Sequence, residues 1–409
     1  GGDWAVFDFA GFTPRKGGTV DPMNHRWAQL LTWLPASFAA VMPLHPRAST
    51  WLMLLWLPIW LAAFLRKQLT WRPLTGSSVA MMALYAWFVA GGFWSEDTES
   101  AWFALEVKAS LVLLPLVFQT LPEPAPNQSW RRWLFVGLTL AVLVRAGAAA
   151  VGWPGAGWRY ADWTGPFHPT YLAMYWSWGI CLARGDRAKW LIPLFSVAIG
   201  LAASKAGWLG AGFALISLLP AGKRLWLPVL IGALGLVVAG AAADQGRLGE
   251  FVAHAPGTAG GQEEAGESVA KTTGSTGGRL QAWRVAAAVF ADHPVAGVGT
   301  GDYAQAVEPI YLEQGLDYAA AHHMNAHNAF LQMAVMLGAV GLLLLLFWWG
   351  TSMRAAWRLA DWGLVCSMLL VLFHGLFESV LELQQGIVAV VFLSSMAGGV
   401  LNSPASRTS

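Results

Sequence analysis

Apolar runs long enough to cross a hydrocarbon layer of about 30 Å recur along almost the whole chain, and they limit its fold more than any other feature. They fall at 27–44, 49–65, 77–94, 101–121, 131–152, 167–183, 188–202, 204–220, 224–242, 326–349, 362–380 and 386–401. Backbone amides in lipid must find partners within the chain. These Leu-, Ala- and Trp-rich runs lack the period-two alternation of a membrane barrel, so the spans are expected to be helices. The expected fold class is all-α, a polytopic integral membrane protein of about twelve transmembrane helices. Composition agrees: 56% of the 409 residues are hydrophobic and only 12% are charged, too few to clothe a soluble core of this size. A water-soluble enzyme, a disordered chain and a disulfide scaffold are excluded on that ground.

A net charge of +2 from 25 Lys+Arg against 23 Asp+Glu shows no basic patch for nucleic acid. Many of the 25 Trp sit at the ends of apolar runs, as at Trp51, Trp94, Trp102, Trp130 and Trp133, where an amphipathic ring suits the headgroup layer. Cys181 and Cys366 lie inside apolar runs and read as packing residues.

Residues 1–22 are polar and Gly-rich, lack the plan of a signal peptide, precede Met23, and are read as a tail segment outside the fold. Residues 23–242 then hold the first nine spans and residues 326–409 the last three with a polar tail. One set of short loops carries Arg66, Lys67, Arg131, Arg132, Arg184, Arg187, Lys189, Lys223 and Arg224, while the opposite set has only Arg47, Arg159 and Lys205. This bias predicts both termini on the cytoplasmic side. Residues 243–325 break the rhythm as a loop of some eighty residues on the outer side, where function is expected to reside. Within it, 254–278 is rich in Gly, Thr, Ser and Glu. Leu280, Trp283, Ala287 and Phe290, and then Tyr303, Val307, Ile310 and Tyr311, recur at helical spacing on either side of Gly297-Val-Gly-Thr-Gly301.

The chain has no Walker P-loop, no nucleophile-elbow serine and no HExxH helix, and the glycines at 297–301 lack the strand and third glycine of a dinucleotide loop. His322, His323 and His327 suggest a metal set, but Met324 stands where a zinc hydrolase would carry its glutamate, and no further ligand is evident; no metal is expected. Two readings of His327 stand side by side. It is a general base at the outer mouth of the bundle, since a neutral imidazole suits proton abstraction, or it caps the tenth span together with Asn325 and Asn328. Lys108 and Arg145 each lie seven residues from the outer end of their spans, about 10 Å deep at 1.5 Å per residue. Two buried cations at one depth call for something anionic. The alternatives are pairing of Lys108 with Glu106, or snorkelling. Arg159, Lys205 and Arg279 would join them on the outer side, and a phosphate or diphosphate at the membrane surface is the natural ligand. A transporter binding an anion during alternating access is the rival from another class, although it would place its site at the midplane.

His327-Asn328, nine residues, then Gly338-Ala-Val-Gly341 resembles the signature of the O-antigen ligases within the wider ligase and polymerase superfamily. Gly278-Arg279 to Trp283 with Pro294 to Gly299, Leu105-Glu-Val-Lys108 before Leu114-Pro115, and Gly165-Pro-Phe-His168-Pro-Thr-Tyr171 are similar to further segments of that family. Ser204-Lys205 departs from it, standing where Ser-Arg is usual and losing the bidentate fork. The resemblance implies a cofactor- and metal-independent inverting glycosyltransferase of the bacterial inner membrane, active on the periplasmic side. Its donor would be an undecaprenyl-diphosphate-linked polysaccharide and its acceptor lipid A-core oligosaccharide. It further implies His327 as base, Arg279, Lys108, Arg145, Arg159 and Lys205 as diphosphate ligands, and His323, His168 and Asn328 as secondary candidates. An O-antigen polymerase and a protein O-oligosaccharyltransferase share the resembling region.

Overall fold

The computed structural model describes residues 22–67, 69, 72–121, 129–184, 186–219 and 276–401. Every regular element among them is helical: α1 (Pro22–Val41), α2 (Ala48–Leu65), α3 (Gly76–Gly92), α4 (Thr98–Lys108), α5 (Ser110–Thr120), α6 (Ser129–Ala150), α7 (Tyr160–Thr164), α8 (Pro169–Leu182), a 3-10 turn (Arg187–Leu191) leading into α9 (Ile192–Ala202), α10 (Lys205–Ser217), α11 (Thr276–Asp292), α12 (Tyr303–Glu313), α13 (Asp317–Ala321), α14 (Ala329–Arg358), α15 (Trp362–Gly375) and α16 (Gln384–Leu401). The apolar run at 224–242, the tail up to residue 21 and most of the Gly- and Glu-rich stretch at 254–278 lie outside the described residues. Each other apolar run overlaps one of these helices.

Four of the helices are long and apolar enough to cross a membrane, Ala48–Leu65, Thr98–Thr120, Trp130–Ala150 and Ala329–Arg358, and Gly76–Gly92, Trp362–Gly375 and Gln384–Ala397 are shorter apolar helices. α2 carries the physical case for a membrane. Its mean hydropathy is 1.8, yet only 17% of it is buried. Trp51, Leu54, Leu55 and Leu65 are 58% to 70% exposed. A helix apolar all round and left uncovered by protein is one solvated by lipid. The chain is a helical membrane protein.

The centre of the bundle is α8, all of whose residues are buried, with α6, α9, α10 and α15 packed around it. Trp163, Trp176, Trp178 and Trp348 are among the largest fully buried side chains, so tryptophan serves this core as well as its boundary. Trp51, Trp94, Trp102 and Trp133 are exposed as boundary rings should be, but Trp130 is 5% exposed. It packs edge-on against Phe392 of α16 at 5.7 Å, inside the protein rather than at its boundary.

α4 and α5 form one span in which the ladder tightens at Ala109, whose N–H donates to Glu106 O at 3.2 Å. α14 is interrupted at Gly338, whose φ of 65° and ψ of −165° are non-helical. The break leaves backbone groups without helical partners, and the segment at 294–299 supplies them. Val298 N donates to Val335 O at 2.9 Å, Gly299 N to Met336 O at 3.0 Å, and Ala339 N to Pro294 O at 2.8 Å. A Cβ on Gly338 would stand 2.1 Å from Val295 O, and one on Gly297 2.4 Å from the Met336 carbonyl. The glycines of both motifs are therefore the two halves of one backbone joint. Next to it, the Asp302 carboxylate accepts from Glu96 N at 2.9 Å and Asp97 N at 2.8 Å, fastening the start of α12 to the turn after α3.

Candidate active site

The site is built around a residue that no motif announced. Glu378 lies in the turn between α15 and α16, its side chain 5% exposed. Oε1 accepts from Arg279 Nη2 at 2.8 Å and from Thr170 Oγ1 at 3.4 Å, and Oε2 faces His327 Nδ1 at 3.3 Å. Arg279 is in the first turns of α11, Thr170 in the first turn of α8, and His327 immediately precedes Asn328, the N-cap of α14. The network continues to α10. Thr170 Oγ1 lies 2.8 Å from Ser204 Oγ, and Ser204 caps α10 by accepting from Gly207 N at 3.2 Å. With its proton given to Glu378, Thr170 receives that of Ser204. Side chains from the first turns of α8 and α11, from the cap of α10 and from the residue ahead of the α14 cap thus meet in one hydrogen-bonded cluster.

Burial pushes the Glu378 carboxyl up, but the hydrogen bond from His327 and the charges of Arg279 and His168 outweigh burial and hold it below the ordinary value of 4.5. His168, in the turn ahead of α8, is in the same electrostatic neighbourhood. Protein atoms crowded around its ring lower its pKa from 6.5 although the residue is exposed at the surface; Glu378 opposes that shift, while His327 and Arg279 add to it. Its ring meets Tyr171 edge-on at 5.6 Å. Solvent reaches it, as it reaches Arg279 and His327, each with a side chain 28% exposed. The cluster has a buried carboxylate at its base and Arg279, His327 and His168 at its open mouth.

His327 carries a φ of 44°, a left-handed backbone for a non-glycine residue. Local contacts hold it there. Its N–H donates to Asn325 Oδ1 at 2.8 Å, Asn328 Oδ1 accepts from Phe330 N and Leu331 N at 3.0 Å each, and Asn328 Nδ2 donates to Leu376 O at 3.2 Å. Asn328 is therefore the cap of the span, and His327 is aimed away from that duty toward Glu378. A proton on Nδ1, given to the carboxylate, leaves Nε2 as the basic lone pair.

The other sequence candidates separate. Lys108 is 1% exposed, its ammonium 2.9 Å from Glu382 Oε2 and 5.0 Å from the Phe88 ring centre. Its partner is Glu382, not Glu106. A buried cation took the carboxylate that tertiary packing brought to it. Arg145 donates through Nε to Thr164 O at 3.2 Å and through Nη1 to Ala141 O at 3.3 Å, and lies 5.5 Å over Phe167. Its Nη2 is buried without a hydrogen bond, and its contacts brace the turn that presents His168. Lys205 is half-buried at the first position of α10, next to Ser204, and Arg159 is exposed at the N-cap of α7. His323 is exposed and pairs with Glu308, apart from the cluster.

No group of three or more His, Cys, Asp or Glu side chains is placed to hold a metal among the described residues. Glu378 carried no sequence signal beyond being an acid in an otherwise apolar stretch. Acids within the apolar runs of the sequence could have been screened by the test applied to the buried cations.

No curated protein matches the chain. Residues 190–346, which include Lys205, Arg279 and His327, match the family model described as O-antigen ligase, so this part of the chain is similar to the O-antigen ligase and polymerase superfamily.

Proposed function

We propose that the protein is an O-antigen ligase, a membrane glycosyltransferase that moves polysaccharide from an undecaprenyl-diphosphate donor to a hydroxyl of lipid A-core oligosaccharide. The reading further puts it in the bacterial inner membrane, with both termini cytoplasmic and the cluster facing the periplasm. One observation carries the chemistry: Arg279 and His327, from separate helical segments, converge on Glu378. In this mechanism Nε2 of His327 takes the acceptor proton while the acceptor oxygen attacks the anomeric carbon from the face opposite the leaving group. The carbon–oxygen bond to the diphosphate breaks with inversion, and the electron pair stays on the diphosphate. Arg279 and Lys205 stabilise that growing charge. Glu378 holds the His327 ring and its tautomer, and supports the imidazolium once formed. Arg145 positions the His168 turn, while Lys108 holds the Glu382 turn in place of binding diphosphate directly.

In proteoliposomes supplied with purified donor and acceptor, His327→Ala is expected to lower transfer by about 10²-fold or more. Unchanged transfer would remove His327 as the base. A deletion strain distinguishes ligase from polymerase. Lipid-linked polymer accumulating while lipid A-core stays bare is the ligase outcome, and accumulated single repeats would assign polymerisation instead.

A further inference from the structure

A cavity of about 220 Å³ lies between α1, α2, α5 and the tightened turn at Ala109, its walls including Phe38, Met53, Leu57, Leu113 and Val117. One water needs only about 10–15 Å³ of such space, and apolar cavities stay dry, so this one is suited to hydrocarbon. Its polar lining residues are Glu106, Ser110, Thr50 and Gln384. Ser110 is 1% exposed, and neither its Oγ nor that of Thr50 makes a hydrogen bond, although helical hydroxyls in membranes ordinarily donate to a carbonyl one turn back.

We propose that this cavity seats a segment of the isoprenoid chain of the lipid-linked donor. The inference rests on the donor class proposed above. Three observations select this occupant. No basic residue lines the cavity and Glu106 does, so an anionic headgroup is disfavoured there and an uncharged chain fits. The wall adjoins the Lys108–Glu382 pair, because Val107 and Ala109 on it flank Lys108. Gln384 on its wall is two residues from Glu382, which grips Lys108, and the same turn carries Glu378. A chain held here tethers its diphosphate beside that turn. Finally, an isoprenoid has a double bond in every five-carbon unit, a weak acceptor for the two idle hydroxyls that a saturated acyl chain lacks. Exchange of one hydrocarbon for another gains no hydrophobic energy within a bilayer, so shape and these hydroxyls must supply the selectivity.

The test uses a polyprenyl diphosphate carrying a photoreactive diazirine in its chain, with the full-length protein in nanodiscs and adducts mapped by peptide mass spectrometry. Labelling is expected on α2 and α5 around Met53 and Leu113, displaced by unlabelled polyprenyl phosphate and not by saturated phosphatidylglycerol. Ser110→Leu and Leu113→Trp, both filling the cavity, should cut that labelling about fivefold or more, the low end of an overpacking cost. Two such variants, each checked for a monodisperse profile in detergent, guard against loss by misfolding. Labelling spread over the bundle, equal displacement by phospholipid, or full labelling of both folded variants overturns the proposal. Because the readout is binding, labelling as expected without transfer would fault the ligase reading alone, and transfer with scattered labelling would fault only this one.

Discussion

At the residue scale, the chemistry depends on which carboxylate each buried cation meets. Glu378 anchors Arg279 and His327 together, so Glu378→Gln removes a charge that both use. Expected are a transfer rate lower by about 10²-fold, from loss of the orienting partner, and a stability loss of about 1–3 kcal/mol, reduced from the cost of breaking a fully buried pair by the partial exposure of both partners. Transfer assays and thermal unfolding in detergent measure the two. Lys108–Glu382 is more deeply buried, and Lys108→Met should cost about 3–5 kcal/mol; adding Glu382→Leu should recover most of it. Failure of that second change to restore stability would show that the pair is not the strut the geometry describes. Both Glu378 and His168 have depressed pKa values, so the unfolded chain binds their protons more readily and stability rises with pH. The contribution of His168 begins to fall away as pH drops below 6.5 and that of Glu378 below 4.5, each being gone below the group's own lower value. A melting series from neutral to acid pH should show both limbs, and His168→Gln should lose the upper one.

At the element scale, the joint between the break in α14 and the 294–299 segment ties Arg279 to His327. α11 carries the arginine and ends just before that segment, while the first half of α14 carries the histidine at its start. Gly338→Ala would place a methyl against Val295 O and force a left-handed alanine, so about 2 kcal/mol or more of stability should be lost. Transfer should fall even where the protein still folds, because the two halves of the cluster would separate. Activity unaffected in a folded Gly338→Ala protein would mean that the joint does not set the site. The helical periods at 280–290 and 303–311 are legible in sequence, and both became helices. Their docking was not legible, since hydrogen bonds from a loop into a broken helix leave no period in either segment.

At the scale of the whole molecule, the two ends of the bundle differ. Arg184, Arg187 and Lys189 crowd one turn, and the cluster with its loop helices stands elsewhere. If loop charge sets orientation, a cysteine placed at Asp186 should react with a membrane-impermeant maleimide only from the cytoplasmic side, and one placed at Glu313 only from the opposite side. The native Cys181 and Cys366 are both buried, so the background should be low. Labelling of both positions from one side would invert or break the topology.

Local sequence was enough to define an all-helical membrane chain, because hydrophobic length and period are properties of consecutive residues. It also marked His327, Arg279 and the paired glycines, whose spacing lies within one or two segments. Folding alone assigned Glu378 to Arg279 and His327, and Glu382 to Lys108. The energy of a buried charge depends on the partner that packing delivers from another part of the chain, and that choice is made in three dimensions.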